Sequence, residues 1–106
     1  MAIYQGQITD YTLVVNSPNI SVNYKSYITM RGAFGTVIVY FVPEGGQLGN
    51  NAKRAGQNLF DVYFWMSSWA HIVDMLRNES PVTLFYNDSY NTLQLTTGSE
   101  PIGEGE

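Results

Sequence analysis

The stretch that decides the fold runs from Leu59 to Tyr86. Leu59-Phe60-Asp61-Val62-Tyr63-Phe64-Trp65-Met66 has the composition of a strand. Ser67-Ser68 then offers a helix N-cap, because a serine oxygen can accept from the N–H groups left open at a helix start. Trp69, Ile72, Val73 and Leu76 fall at i, i+3, i+4 and i+7, one apolar stripe of a helix. His71, Asp74, Arg77 and Asn78 take its polar side. Pro81 ends the helix, and Val82-Thr83-Leu84-Phe85-Tyr86 resumes a strand. One helix packed on a β-sheet follows from this segment alone.

Upstream, Ile3 to Ile8 and Tyr11 to Val15 read as extended chain. Ile3, Tyr11, Leu13 and Val15 are odd-numbered and Ile8 is even, so the face changes near Thr9-Asp10. That points to a bulge or bend in one long strand. Asn16-Ser17-Pro18-Asn19 is a turn by composition. Ile20 to Arg31 alternates with a period of two, one face toward a core and the other outward. Gly32-Ala33-Phe34-Gly35 turns the chain back. Val37-Ile38-Val39-Tyr40-Phe41-Val42 has no alternation, which fits a central strand covered on both sides. Pro43 to Asn58 is a 16-residue stretch with four glycines and no periodicity. It reads as a long loop, an opened hairpin tip if the strands flanking it pair antiparallel. After the helix, residues 82–86 and Tyr90 to Thr97 form a hairpin around Asn87-Asp88-Ser89, with Leu93 and Leu95 inward.

The expected class is therefore α+β. About six strands in the order β-β-β-β-α-β-β form an antiparallel curled sheet on one α-helix. An OB-like small barrel is the alternative, if the segments around the long loop act as one interrupted strand. Residues 1–97 make a single globular domain, and 98–106 read as a flexible acidic tail too polar to offset its ordering entropy.

Charge narrows the function classes. The net charge is −4, but Glu100, Glu104 and Glu106 supply most of it; residues 1–97 carry five basic and six acidic side chains. That near-neutral body lacks the footprint of a nucleic-acid binder or of a protein held on anionic membranes. No cysteine is present, so there is no disulfide framework and no thiolate chemistry. No signal-like start and no bilayer-length apolar run are visible, and the chain reads as cytoplasmic. No catalytic, nucleotide or metal-ligand spacing occurs, so no cofactor is expected.

Candidate site residues follow from residue type and face. Aromatic residues make up 14% of the chain, led by eight tyrosines, a composition that suits a sheet face used for binding. Lys25, Tyr27, Asp61, Tyr63 and Trp65 can share one side of the sheet as an aromatic platform with a few polar groups. The competing arrangement turns Tyr63 and Trp65 inward. Asp61 sits in an apolar strand, where burial would raise its pKa and an outer position would leave it solvated. Lys53 and Arg54, in the glycine-rich loop, could meet a phosphate or an acidic partner. His71, with Asp74 at i+3, is the one candidate acid–base pair, although an exposed helix face explains it without catalysis. The expectation is a non-catalytic binding or assembly module, associating with a second copy or another protein through an aromatic face or an edge strand. The alternatives are a ligand pocket between helix and sheet using Asp61, His71 and the tyrosines, and an OB-like single-strand nucleic-acid binder.

Overall fold

A computed structural model describes residues 2–17 and 26–97. Strand β1 is Ile3–Val14, β2 is Ser26–Gly32, β3 is Gly35–Val42, β4 is Ala52–Lys53 and β5 is Leu59–Trp65. A 3₁₀ turn, Met66–Ser68, leads into helix α1, Trp69–Asn78, which is followed by β6, Val82–Asn87, and β7, Thr92–Thr97. The strands form one sheet in the order β4-β5-β3-β2-β1-β6-β7, curled into a half-barrel around α1. The class is α+β, as expected. The sheet is mixed, however, and not purely antiparallel.

The correction lies at the long loop. β3 and β5 run parallel, with Val37 opposite Phe60, Val39 opposite Val62 and Phe41 opposite Phe64. The segment 43–58 is not a hairpin tip. It carries the chain back along the strand, and the Thr36 N–H donates to the Asn58 carbonyl at 2.9 Å where it arrives. A parallel pair needs a connection of a dozen residues or more, whereas hairpin loops take two to about five. The loop's length was the signal. Because these segments form two separate strands, the interrupted strand that an OB-like barrel required does not exist.

β1 is one long bent strand. Ile8 faces Gly32 and Asp10 faces Arg31, so Thr9 is an extra residue with no partner of its own. The bulge moves the inward set from Tyr4 and Ile8 to Tyr11, as the change of face predicted, while Ile3 faces outward and is 56% exposed. β1 is also shared: residues Ile3 to Gln7 pair with β6, and Ile8 to Val14 pair with β2. This bend curls the sheet.

The β2–β3 hairpin closes through Ala33-Phe34 between paired Gly32 and Gly35. Gly35 has φ of 113°, a conformation side chains rarely adopt, and a Cβ there would strike the Asn58 carbonyl oxygen. Phe34 turns inward and is buried in the core. The strand expected over Ile20 to Arg31 is seen from Ser26 onward; residues 18–25, including Lys25, and the expected tail at 98–106 lie outside the described residues.

Inside the curl sit Ile28, Met30, Val37, Val39, Phe41, Phe60, Val62, Leu84 and Tyr86, all essentially fully buried. Phe60 packs on Tyr4 at 5.1 Å between ring centroids and on Tyr86 at 4.7 Å, joining strands that are not neighbours in the sheet. At the other end Trp69 meets Phe41 edge-on at 4.8 Å, and Ile72 and Leu76 pack on the same core. The helix starts differently from expectation. Ser68 stands at the N-cap with φ −85° and ψ −9°, already helical, so its side chain makes no capping hydrogen bond. The Glu44 carboxylate, reaching over from the loop after β3, accepts instead from the Ser67 N–H at 3.0 Å.

Phe60→Ala removes the ring that ties the two flanks of the curl together. It is expected to cost about 3–5 kcal/mol of stability, checked by chemical denaturation.

Candidate functional site

The register of β2, β3 and β5 brings one residue type together on the face turned away from the core. Tyr27 pairs with Tyr40, and Tyr40 with Tyr63. Their rings form a row, 5.9 Å from Tyr27 to Tyr40 and 5.2 Å from Tyr40 to Tyr63, the second contact stacked. Each ring is half-buried. Trp65, also half-buried, continues the outer row of β5. Tyr27, Asp61, Tyr63 and Trp65 therefore share the convex face, and the inward arrangement of Tyr63 and Trp65 is excluded.

At the sheet edge the row is capped by backbone. A Cβ at Gly49 would lie 2.8–2.9 Å from Tyr63 ring carbons, so the glycine lies flat on the ring as no other residue could without a shift. The Asn51 side-chain oxygen accepts from the Tyr63 N–H at 2.9 Å, satisfying an edge donor. The loop that returns the chain to β5 thus also shields the end of the tyrosine row.

Beside the row lies a charged cluster. Asp61 accepts from Arg54 at both carboxylate oxygens, at 2.8 and 3.0 Å. Tyr40 Oη donates to Asp61 at 3.1 Å. The Arg54 hydrogen bond outweighs partial burial and holds the Asp61 carboxyl below the usual carboxylate range. The same bond raises the Arg54 pKa, while burial and then the Asp61 charge push the Tyr40 phenol up. Asp61 is neither a buried acid with raised pKa nor a free solvated one. It is a paired carboxylate.

Lys53 and Arg54 do not converge. Successive strand residues point to opposite faces, so Arg54 goes to Asp61 on the convex side while Lys53 reaches the inner rim, its Nζ 5.9 Å from the Tyr4 ring centroid. The two cations build no common anion site. His71 is exposed on α1, and Asp74 accepts from Asn78 at 2.6 Å rather than orienting it. Asp61 and His71 lie on opposite sides of the sheet, so the pocket combining them is not formed. Among the described residues no three His, Asp or Glu side chains cluster as metal ligands.

Tyr40, the centre of the row, was missed in sequence because its strand read as covered on both sides. Val37, Val39 and Phe41 are buried, but Ile38 and Tyr40 are half-exposed. The single hydroxyl-tipped ring in that apolar run was the available clue. Clefts flank the sheet, two of them beside the features described above. One of about 460 Å³ lies between the β1 bulge and the end of α1, lined by Tyr11, Leu76, Arg77 and Pro81 among others. One of about 440 Å³ adjoins the tyrosine row, lined by Leu48, Asn51, Tyr63 and Tyr90.

Comparison of the chain with family models, curated proteins and solved structures finds no match. No helix among the described residues is long and apolar enough to cross a membrane.

Because the folded-state pKa of Asp61 is depressed, its pairing stabilises the fold above the ordinary carboxylate pKa of about 3.9 and that contribution is lost as the pH falls through the lowered value. Asp61→Asn is expected to lower the thermal midpoint slightly at pH 7. The gap from the native chain should close under acid conditions, as checked by melting curves across pH.

Proposed function

We propose that this chain is a non-catalytic assembly module whose convex aromatic face receives a second copy or another protein. The observation that carries the reading is the row Tyr27–Tyr40–Tyr63, aligned across three strands on the face that the core does not use. Tyrosine combines a large rigid apolar ring with a polar tip, the combination enriched at protein interfaces. Here the rings also hold one another in place, so little side-chain entropy is left to lose on contact. The Arg54–Asp61 pair at the border supplies donors and acceptors for a polar rim.

His71 and Asp74 are both exposed on the helix, and Asp74 lines a cleft there with Trp69, Val73 and Arg77 that His71 does not line. The low positive charge of the described body speaks against a nucleic-acid partner.

Light scattering over a concentration series tests the reading. The mass is expected to rise with concentration. Tyr27→Ser and Trp65→Ala should each weaken association about tenfold or more while leaving the circular dichroism of the monomer unchanged, as expected of interface aromatic anchors. A native chain that stays monomeric throughout, or a Trp65→Ala chain that unfolds, would count against the aromatic face.

A further inference from the structure

The two edges of the sheet are treated differently. At the β5 edge, β4 contributes only two paired residues, Arg54 and Asp61 put charges beside it, and the Asn51 side chain occupies the Tyr63 N–H. Short strands, charges and capped donors are how proteins prevent strand addition. Among the described residues the β7 edge shows none of these devices over Thr92 to Thr96, although just before the strand the Asn51 side chain donates to the Asn91 carbonyl at 3.0 Å. Thr92-Leu93-Gln94-Leu95-Thr96 carries no charge, no proline and no glycine, and its pairing with β6 runs without a bulge. Among the described residues, β7 is the last strand, with β6 on one side and no strand on the other.

The segment is also self-complementary. Thr-Leu-Gln-Leu-Thr reads the same in both directions about Gln94. If two copies meet antiparallel on a two-fold axis through Gln94, each Thr92 faces the second copy's Thr96 and each Leu93 its Leu95. Gln94 then faces its own counterpart. Threonine pairs, amide pairs and apolar pairs are all favourable across antiparallel strands. Leu93 and Leu95 pack on the core from one side only and remain half-exposed, so a second copy would cover their open flank. Gln94, opposite Phe85 on the outer face, is exposed.

We infer that β7 pairs antiparallel with β7 of a second copy about a two-fold axis at Gln94, joining two half-barrels into one continuous sheet. This contact is separate from the tyrosine row and does not depend on it. Among the described residues no strand lies beyond β7, and because the two-fold pairing uses that edge in both copies, this contact taken by itself closes as a dimer instead of propagating.

The native chain has no cysteine, so single cysteines report the register directly. Directly opposed strand residues come within disulfide range, whereas residues four positions out of register do not. Under mild oxidation Gln94→Cys is expected to form a covalent dimer. Thr92→Cys alone should not, but Thr92→Cys mixed with Thr96→Cys should. The same Gln94→Cys dimer is expected in a Tyr27→Ser background, which separates this contact from the aromatic face. Gln94→Lys, with like charges meeting on the axis, should weaken dimerisation about tenfold or more at low ionic strength and recover with salt. The inference is overturned if Gln94→Cys stays monomeric, if Thr92→Cys alone cross-links as readily, or if the cross-link disappears with Tyr27→Ser. Loss of the cross-link with Tyr27→Ser would show that it depends on the aromatic face, whereas the first two outcomes rule out the β7 register and leave the aromatic face untouched.

Discussion

The parallel pairing of β3 with β5 is the constraint on which the rest of the molecule depends. It sets Tyr63 beside Tyr40 and Asp61 beside Ile38, and it points Phe60 across the curl to Tyr4 and Tyr86. Had the same two segments paired as a hairpin, their residues would meet in the opposite order and the tyrosine row would be broken. The pairing also fixes the path of the chain. β5 ends at the same end of the sheet as β3, so α1 must cross the concave side before β6 can add next to β1. The apolar stripe of the helix packs on the core because it makes that crossing.

The 43–58 segment earns its length by several roles at once. It returns the chain to the start of β3, contributes the edge strand β4, lays Gly49 on Tyr63 and brings Arg54 to Asp61. It also spans the opening of the half-barrel, where the Asn51 side chain donates to the Asn91 carbonyl at 3.0 Å. Asn91 itself has φ of 53°, a left-handed value that asparagine tolerates, and its side chain accepts from the buried Tyr86 hydroxyl at 2.9 Å. Few apolar side chains come from this loop. Its order rests on hydrogen bonds to backbone, on the Arg54–Asp61 ion pair and on contacts with the Tyr63 and Tyr4 rings.

Much of the fold was legible in the residues. The Thr9 bulge followed from the switch of apolar parity between Ile8 and Tyr11, because a single inserted residue is the only local way to keep both sides inward. The helix followed from Trp69, Ile72, Val73 and Leu76. Other features were not legible. Ser67-Ser68 looked like a cap, but the preceding 3₁₀ turn rotates Ser68 out of capping geometry and Glu44, distant in sequence, takes the N–H. Alternation put Asp61, Tyr63 and Trp65 on one face of their strand, but whether that face lay outside, and whether Tyr27 joined it, waited on strand order. Tyr40 could not be assigned, because an uninterrupted apolar run hides which of its faces lies outside.

The sequence by itself determined most of the inventory: the long strands (though not the two-residue β4 inside the segment read as a loop), where the helix lies, which side chains alternate and how little charge the body carries. These depend on neighbours a few residues apart, and periodicity records them. Tertiary structure alone decided who sits beside whom. The direction of β5, the row of three tyrosines, the capture of Asp61 by Arg54 and the contrast between a guarded and an open sheet edge all arise from strand order. Strand order is a property of long-range pairing, and a residue's own neighbours in the chain carry almost no trace of it.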